Sequence, residues 1–263
     1  VSIIEEYLRA SGKIEEADKI REAHQNANTS AMQEMEQFCR TRIYNDQGTR
    51  ISANDVEIIR AEFLHDTSRE NKINGKMDMQ LHTHNMLFNL VLHNDKFYSL
   101  SNEELYKNKM FLGQVYRNEL AKNMQDLGYE IETTDYEKGF FEIKGIDRDK
   151  ILAFSGRSAD IKAKLEEYKI KYPNMNEEAL ENLIAQNEKI AKRENVDREV
   201  ILEENKARME EIGINEKFIN DLKGKNKTLK KDFNILKEHI INASKYLEEN
   251  NSAFTKFELF KEA

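Results

Sequence analysis

Between Glu5 and Ile43 the apolar positions recur at helical spacing, with Tyr7 and Leu8 in one stretch and Ala27, Ala31, Met35 and Phe38 in a second. Ser11-Gly12-Lys13 separates them, so two helices are predicted. Asp46-Gln47-Gly48-Thr49 reads as a turn with a glycine suited to positive φ, and Ser52-Ala53-Asn54-Asp55 as a loop. From Glu57 to His65 the pattern changes to strict alternation, Ile59, Ala61 and Phe63 against Arg60, Glu62 and Leu64, which predicts a strand. Asn74-Gly75 marks a turn, and Gln80–Leu92 is the most strand-like segment of the chain. There Leu81, Thr83, Asn85, Leu87, Asn89 and Val91 point one way and Gln80, His82, His84, Met86, Phe88, Leu90 and Leu92 the other. A hairpin of these two strands is the economical reading.

Asn94-Asp95 turns the chain into a short third strand at Lys96–Leu100. Glu103–Asp126 predicts a helix with Leu105, Met110, Phe111, Val115, Leu120 and Met124 on its apolar positions, and Gly128–Thr133 with Phe140–Ile143 a further hairpin. The expected fold class is therefore α+β: an antiparallel sheet with flanking helices over residues 1–172. Beyond Pro173 the composition shifts to Glu, Lys and Asn at helical spacing, expected to be a charged, mainly helical region (173–232) with little core of its own. Lys223, Lys225, Lys227, Lys230 and Lys231 cluster within it, read as a solvated linker, and Phe233–Ala263 returns to a helical pattern that reads as the start of a following domain.

Composition narrows the function. Cys39 is the only cysteine, so no disulfide can form within the chain, which suits a reducing compartment, the cytoplasm. No apolar run reaches the length of about eighteen residues that a membrane span requires. The net charge of −8 argues against indiscriminate nucleic-acid binding by the whole surface while leaving room for a local site. The chain opens in mid-pattern at Val1-Ser2-Ile3-Ile4, without a methionine, and is expected to be a piece of a longer polypeptide.

Three of the six histidines are organised. His82 and His84 stand at i and i+2 on a strand, on one face and about 7 Å apart. His65 closes the neighbouring strand. Two imidazoles from one strand and a third from its hairpin partner can converge on one divalent cation and leave positions open for water or a phosphate oxygen. The same spacing also suits hydrogen-bonded side chains in a partly buried sheet, and the residues alone leave both readings open. His93 and His239 have no partner in reach by sequence and read as surface residues.

A longer set of strings carries a resemblance to a known family. His65-Asp66-Thr67-Ser68-Arg69, then Asp78-Met79-Gln80-Leu81-His82-Thr83-His84-Asn85 and Phe88-Asn89, resembles the metal-site signature of TrwC/TraI-type conjugative relaxases. Arg21-Glu22-Ala23-His24-Gln25, Tyr116-Arg117, Leu127-Gly128-Tyr129-Glu130, Gly139-Phe140-Phe141-Glu142-Ile143 and Ala153-Phe154-Ser155-Gly156-Arg157-Ser158 follow in the family's order. The resemblance is strong over residues 1–163, weaker at Val196-Asp197-Arg198-Glu199-Val200, and returns at Phe254-Thr255, approaching what looks like a helicase-like domain.

The resemblance implies a single-strand DNA nickase that works by metal-assisted transesterification at a plasmid transfer origin, with His65, His82 and His84 as ligands of Mg, Mn or Zn. It further implies Asp66 or Gln80 as residues orienting an imidazole, Arg69, Lys109, Arg117 and Arg157 as contacts to single-stranded DNA, and other conjugation proteins as partners. Two departures accompany it. The family's nucleophilic tyrosines and an adjacent aspartate match positions upstream of Val1, so the chain by itself is expected not to nick DNA, and Tyr7 reads as packing. The Glu70–Met77 connection is longer than usual, with Met79 where a proline is common. Rolling-circle replication initiators, which share the histidine trio, a non-catalytic single-strand binding module and a helical scaffold with structural histidines are the competing readings.

Overall fold

A computed structural model describes residues 1–71, 75–135, 139–187 and 197–224, and Val1–Gly224 forms one compact unit. The two opening helices are α1 (Ser2–Ala10) and α2 (Ile14–Glu36). Gly12, at φ +77°, ends α1: its own N–H donates to Arg9 O and the following Lys13 N–H to Leu8 O, which satisfies the last carbonyls of the helix. The helical pattern expected to run on to Ile43 stops earlier. Arg40–Tyr44 (β1) and Arg50–Ala53 (β2) are instead a hairpin around Gly48, and β1 also pairs with β6 (Leu100–Ser101). Five residues with one buried side chain, Thr41, give too short an alternation to be separated from a fraying helix by periodicity.

The centre of the unit is the antiparallel sheet β3–β4–β5, formed by Glu57–Glu70, Met77–His93 and Lys96–Tyr98. Asn94 and Asp95, both at positive φ, make the two-residue turn between β4 and β5, the backbone that matches strand twist most easily. One face of β3–β4 lies on α2 and a small apolar cluster: Asn28 donates to Asn85 Oδ1 and to Glu62, while Ile58 and Leu87 pack against Met32, Met35 and Cys39. The alternation in the sequence thus assigns the faces correctly. The helix expected over Glu103–Asp126 is split into α3 (Glu103–Lys107) and α4 (Lys109–Asp126), followed by β7 (Ile131–Asp135), β8 (Phe140–Ile143), α5 (Arg148–Leu152) and α6 (Gly156–Lys171).

The charged stretch after Pro173 holds more core than its composition suggests. It folds into α7 (Glu177–Asn187), α8 (Arg198–Glu211) and α9 (Glu216–Asp221). Asp197 and Asn215 cap α8 and α9 by accepting from Glu199 N and Phe218 N. Met209, Ile214, Ile219 and Leu222 join Ile4, Leu8, Ile20 and Met124 in the main core, at about 1.5–3 kcal/mol for each fully buried aliphatic side chain. Leu180 and Ile184 of α7 pack on Leu165 and Tyr168 of α6. The lysine cluster beyond Lys223, the Phe233–Ala263 pattern, His239 and the tip of the Glu70–Met77 connection lie outside the described residues.

Candidate metal centre

The register of the β3–β4 hairpin sets His65 directly opposite His82, and His84 opposite Phe63. Because side chains alternate along each strand, His65, His82 and His84 emerge on the face turned away from α2. Their ring centroids are 5.3 Å (His65–His82), 4.9 Å (His65–His84) and 5.0 Å (His82–His84) apart, and one ring nitrogen of each lies within 4.8 Å of the others. His65 and His82 are half-buried and His84 is exposed, so the cluster opens to solvent on one side.

His82 Nδ1 lies 2.8 Å from the Gln80 carbonyl. A carbonyl only accepts, so Nδ1 carries the proton and Nε2 keeps its lone pair for a cation, the arrangement usual for a ligating imidazole. The orienting group at Gln80 is therefore its backbone rather than its side chain. Asp66 faces elsewhere. The register shifts between His65 and Thr67, and the Asp66 carboxylate accepts from Arg21 Nη2 at 2.6 Å and Arg198 Nε at 3.2 Å. Burial by itself would raise the Asp66 carboxyl, and the two guanidiniums outweigh it and hold it below its ordinary value.

Beneath β4, on the helix side, lies a histidine that the sequence reading noted only as part of a motif. His24 is 3% exposed; Nδ1 is 2.7 Å from Tyr116 Oη and Nε2 2.8 Å from Thr83 Oγ1. It thus ties α2 to α4 and to the residue between His82 and His84. Burial, reinforced by the nearby His82, lowers its pKa from 6.5 to about 4, so it is neutral at physiological pH. Around Asp66 a second network went unread: Glu5 and Glu6, at 1% and 0% exposure, accept from Arg21 and from Arg198 respectively, with Arg9 and Asn205 adding further donors. Arg198 bonds both carboxylate oxygens of Glu6.

The four cations expected at a DNA surface are dispersed. Arg69 is exposed on β3 and Lys109 is exposed at the start of α4. Arg117 lies over the Phe140 ring at 5.0 Å and bonds Gln114; Glu132, Asp135 and Glu142 line the same cleft, of about 810 Å³. Arg157 donates to Ala185 O at 2.9 Å, joining α6 to α7, and shares a cleft of about 460 Å³ with Ser68, Asp78 and Gln80. In that cleft Asp78 accepts from Gly156 N–H at 2.8 Å and from Arg208 Nη2 at 2.8 Å, which anchors the turn into α6 on β4. His93 Nδ1–H donates to Asp55 O, away from the trio. Tyr7 is buried in the main core, and burial pushes the Tyr116 and Tyr129 hydroxyls up to about 12, the wrong direction for a nucleophile that must lose its proton.

Comparison with known proteins gives a consistent pattern. The family model for the TrwC relaxase matches residues 7–212. The multifunctional conjugation protein TraI of Escherichia coli strain K12 is 31% identical over 153 residues, which is 55% of this chain and 8% of that protein. The chain thus spans less than a tenth of the length of that curated relative. Relaxase TrwC complexed with a 27-mer DNA comprising the recognition hairpin and the cleavage site superposes with a TM-score of 0.67 at 28% identity, over 81% of this chain and 71% of that one. A metal-bound TrwC structure in complex with oriT DNA gives 0.66 at 28% identity, over 82% and 70%.

Proposed function

The chain belongs to the TrwC relaxase family, and on that premise we propose that it carries the metal-binding and strand-holding portion of a conjugative relaxase, an enzyme that breaks and rejoins one DNA strand at a transfer origin by transesterification. The observation that carries the reading is the convergence of His65, His82 and His84 on one exposed sheet face, with donor nitrogens within 4.8 Å of each other. An all-imidazole donor set that opens to solvent suits Zn best among the expected Mg, Mn and Zn, with coordination positions left for substrate. When bound there, such a cation supplies Lewis-acid polarisation of the scissile phosphate's oxygens.

The chain's own groups prepare that site. The Gln80 carbonyl fixes the His82 tautomer, and neutral His24 holds the strand between the two β4 ligands without adding positive charge beside them. Asp66, held by Arg21 and Arg198, serves to fix the turn of β3 immediately after His65. Arg157 in its cleft next to Gln80, with Arg69 and Lys109 on exposed positions, supplies phosphate contacts; Arg117, among three carboxylates and stacked on Phe140, contributes least. No helix among the described residues is long and apolar enough to cross a membrane.

Fluorescence anisotropy with labelled single-stranded and duplex oligonucleotides of one sequence tests the reading. Preference for the single strand, with affinity that falls steeply with salt, is the expected result. Equal affinity for both forms would reduce the interaction to charge attraction and overturn the strand-holding role proposed for this chain.

A further inference from the structure

Each of the three histidines has an immediate chain neighbour whose side chain is hydrogen-bonded to α2. Asp66, next to His65, accepts from Arg21 Nη2 at 2.6 Å. Thr83, between His82 and His84, has its Oγ1 2.8 Å from His24 Nε2. Asn85, next to His84, exchanges amide hydrogen bonds with Asn28, donating to its Oδ1 at 2.8 Å and accepting from its Nδ2 at 3.3 Å. The same Asn28 amide donates to Glu62, the cross-strand partner of Asn85, so it spans both strands of the hairpin. Positions 21, 24 and 28 are three and four residues apart and form one stripe of the helix. Further along that stripe the contact turns apolar, where Met32 and Met35 meet Ile58 and Leu87.

We infer that Arg21, His24 and Asn28 are positioning residues for the metal centre: by holding the residues beside His65, His82 and His84 they fix the spacing of the three imidazoles and so set the affinity of the site for a divalent cation. The inference rests on the reading of the trio as a cation site and adds what keeps it in shape. The backbone ladder alone does not do this. Its regular pairing runs from Arg60↔Leu87 to His65↔His82 and shifts between His65 and Thr67, so the trio stands at the end of the regular stretch, beside an irregularity that bends the strand. A coordination site tolerates about 0.2 Å in its ligand distances. Apolar contact is non-directional and permits sliding, whereas a hydrogen bond weakens steeply when bent. His24 and Asn28 are 3% and 6% exposed, and at such places an apolar pair of the same shape serves folding about as well as a hydrogen-bonded one. Polar anchors at the metal end of the stripe, against methionines at the other, therefore follow the demand for position rather than for stability. Tyr116 Oη, 2.7 Å from His24 Nδ1, engages the second ring nitrogen and fixes the imidazole from both sides.

The test sets Zn²⁺ affinity by calorimetry against stability by urea unfolding, on the chelator-stripped full chain. Thr83→Val keeps the shape of the side chain and removes the hydroxyl; Thr83→Ser keeps the hydroxyl and gives up the branch. Strand propensity ranks valine above serine, and the positioning role ranks them the other way. Thr83→Val and Asn28→Ala are each expected to bind Zn²⁺ roughly tenfold more weakly, with Thr83→Ser close to wild type. In the Co²⁺-loaded chain the visible d–d bands, which report coordination geometry, are expected to change in Thr83→Val and to be restored in Thr83→Ser. Met32→Ala, at the apolar end of the stripe, is expected to lower the urea midpoint while leaving Zn²⁺ affinity and the Co²⁺ bands as they are. Unchanged affinity in Thr83→Val and Asn28→Ala overturns the inference and leaves the cation site intact. So does a loss in Met32→Ala equal to theirs, which would reduce the effect to general stability. Should Thr83→Val fail to fold, Asn28→Ala decides alone, since alanine favours the helix it stands in. A wild type that binds no Zn²⁺ at the trio overturns the cation reading and this inference with it.

Discussion

Acidification provides a sharp test of how the site is supported from below. His24 is buried between α2, α4 and β4, accepts and donates through both ring nitrogens, and titrates near pH 4 in the folded chain against 6.5 unfolded. Between those values the unfolded chain binds a proton that the folded chain does not, so stability is complete above about pH 6.5 and is lost as the pH falls towards 4. At 1.36 kcal/mol per pH unit the gap is worth at most about 3 kcal/mol, and screening by nearby solvent brings the expected loss to about 2 kcal/mol. The assay is urea unfolding at pH 7.5 and pH 4.5 in the presence of a chelator, for wild type and for His24→Gln, which keeps a donor and an acceptor but cannot titrate. Wild type is expected to lose about 2 kcal/mol more than the variant over that interval. The low carboxyl of Asp66 acts in the same direction but in a lower window, below its ordinary value of 3.8, so it does not mask the difference. Parallel losses in the two proteins would refute the reasoning.

Other outcomes follow from the same geometry. Arg198→Ala leaves Glu6 with no solvent exposure and without its bidentate partner, and is expected to cost about 3–5 kcal/mol in denaturant unfolding, whereas Glu199→Ala on the exposed side of α8 should change little beyond a few tenths. Gly156→Ala would put a methyl 1.8 Å from Asn71 Nδ2 and 2.8 Å from Asp78 Oδ2; a lowered midpoint together with faster amide exchange at residue 156 is expected, and unchanged values would mean that the turn into α6 is not held on β4 as described. His82→Ala is expected to weaken divalent-cation binding at least about a hundredfold by calorimetry, since one of three imidazoles is removed. Gln80→Ala should weaken it far less, because the group that fixes His82 is the backbone carbonyl.

The trio was legible because a strand has a period of two: His82 and His84 had to share a face once Gln80–Leu92 was read as a strand, and the pairing of the two strands as a hairpin sets His65 opposite His82. The supporting groups were not legible for reasons equally physical. Glu6 and Arg198 are 192 residues apart and meet only because α8 packs on α1, a fact no local pattern carries. Two consecutive glutamates in α1 look like a solvated face until guanidiniums from two other helices are found neutralising them. In α8, α9 and the connection between them a dense charge background hides Ile201, Met209, Ile214 and Ile219, which are all buried. Conversely Met86, Phe88 and Leu90 were read as one side of a strand, and only the fold shows that this side is left uncovered among the described residues.

The central claim is that three imidazoles from one hairpin form a single divalent-cation site. Titration of the chelator-stripped chain with Zn²⁺, followed by the imidazole nitrogen resonances in long-range proton–nitrogen correlation spectra, addresses it directly. Saturation at one ion per chain, with the Nε2 resonance of His82 shifted and its Nδ1 still protonated, and with His65 and His84 moving in step while His24 and His93 stay in place, is the expected result. A response spread over unrelated side chains, or none from the trio at saturating ion, would contradict the account.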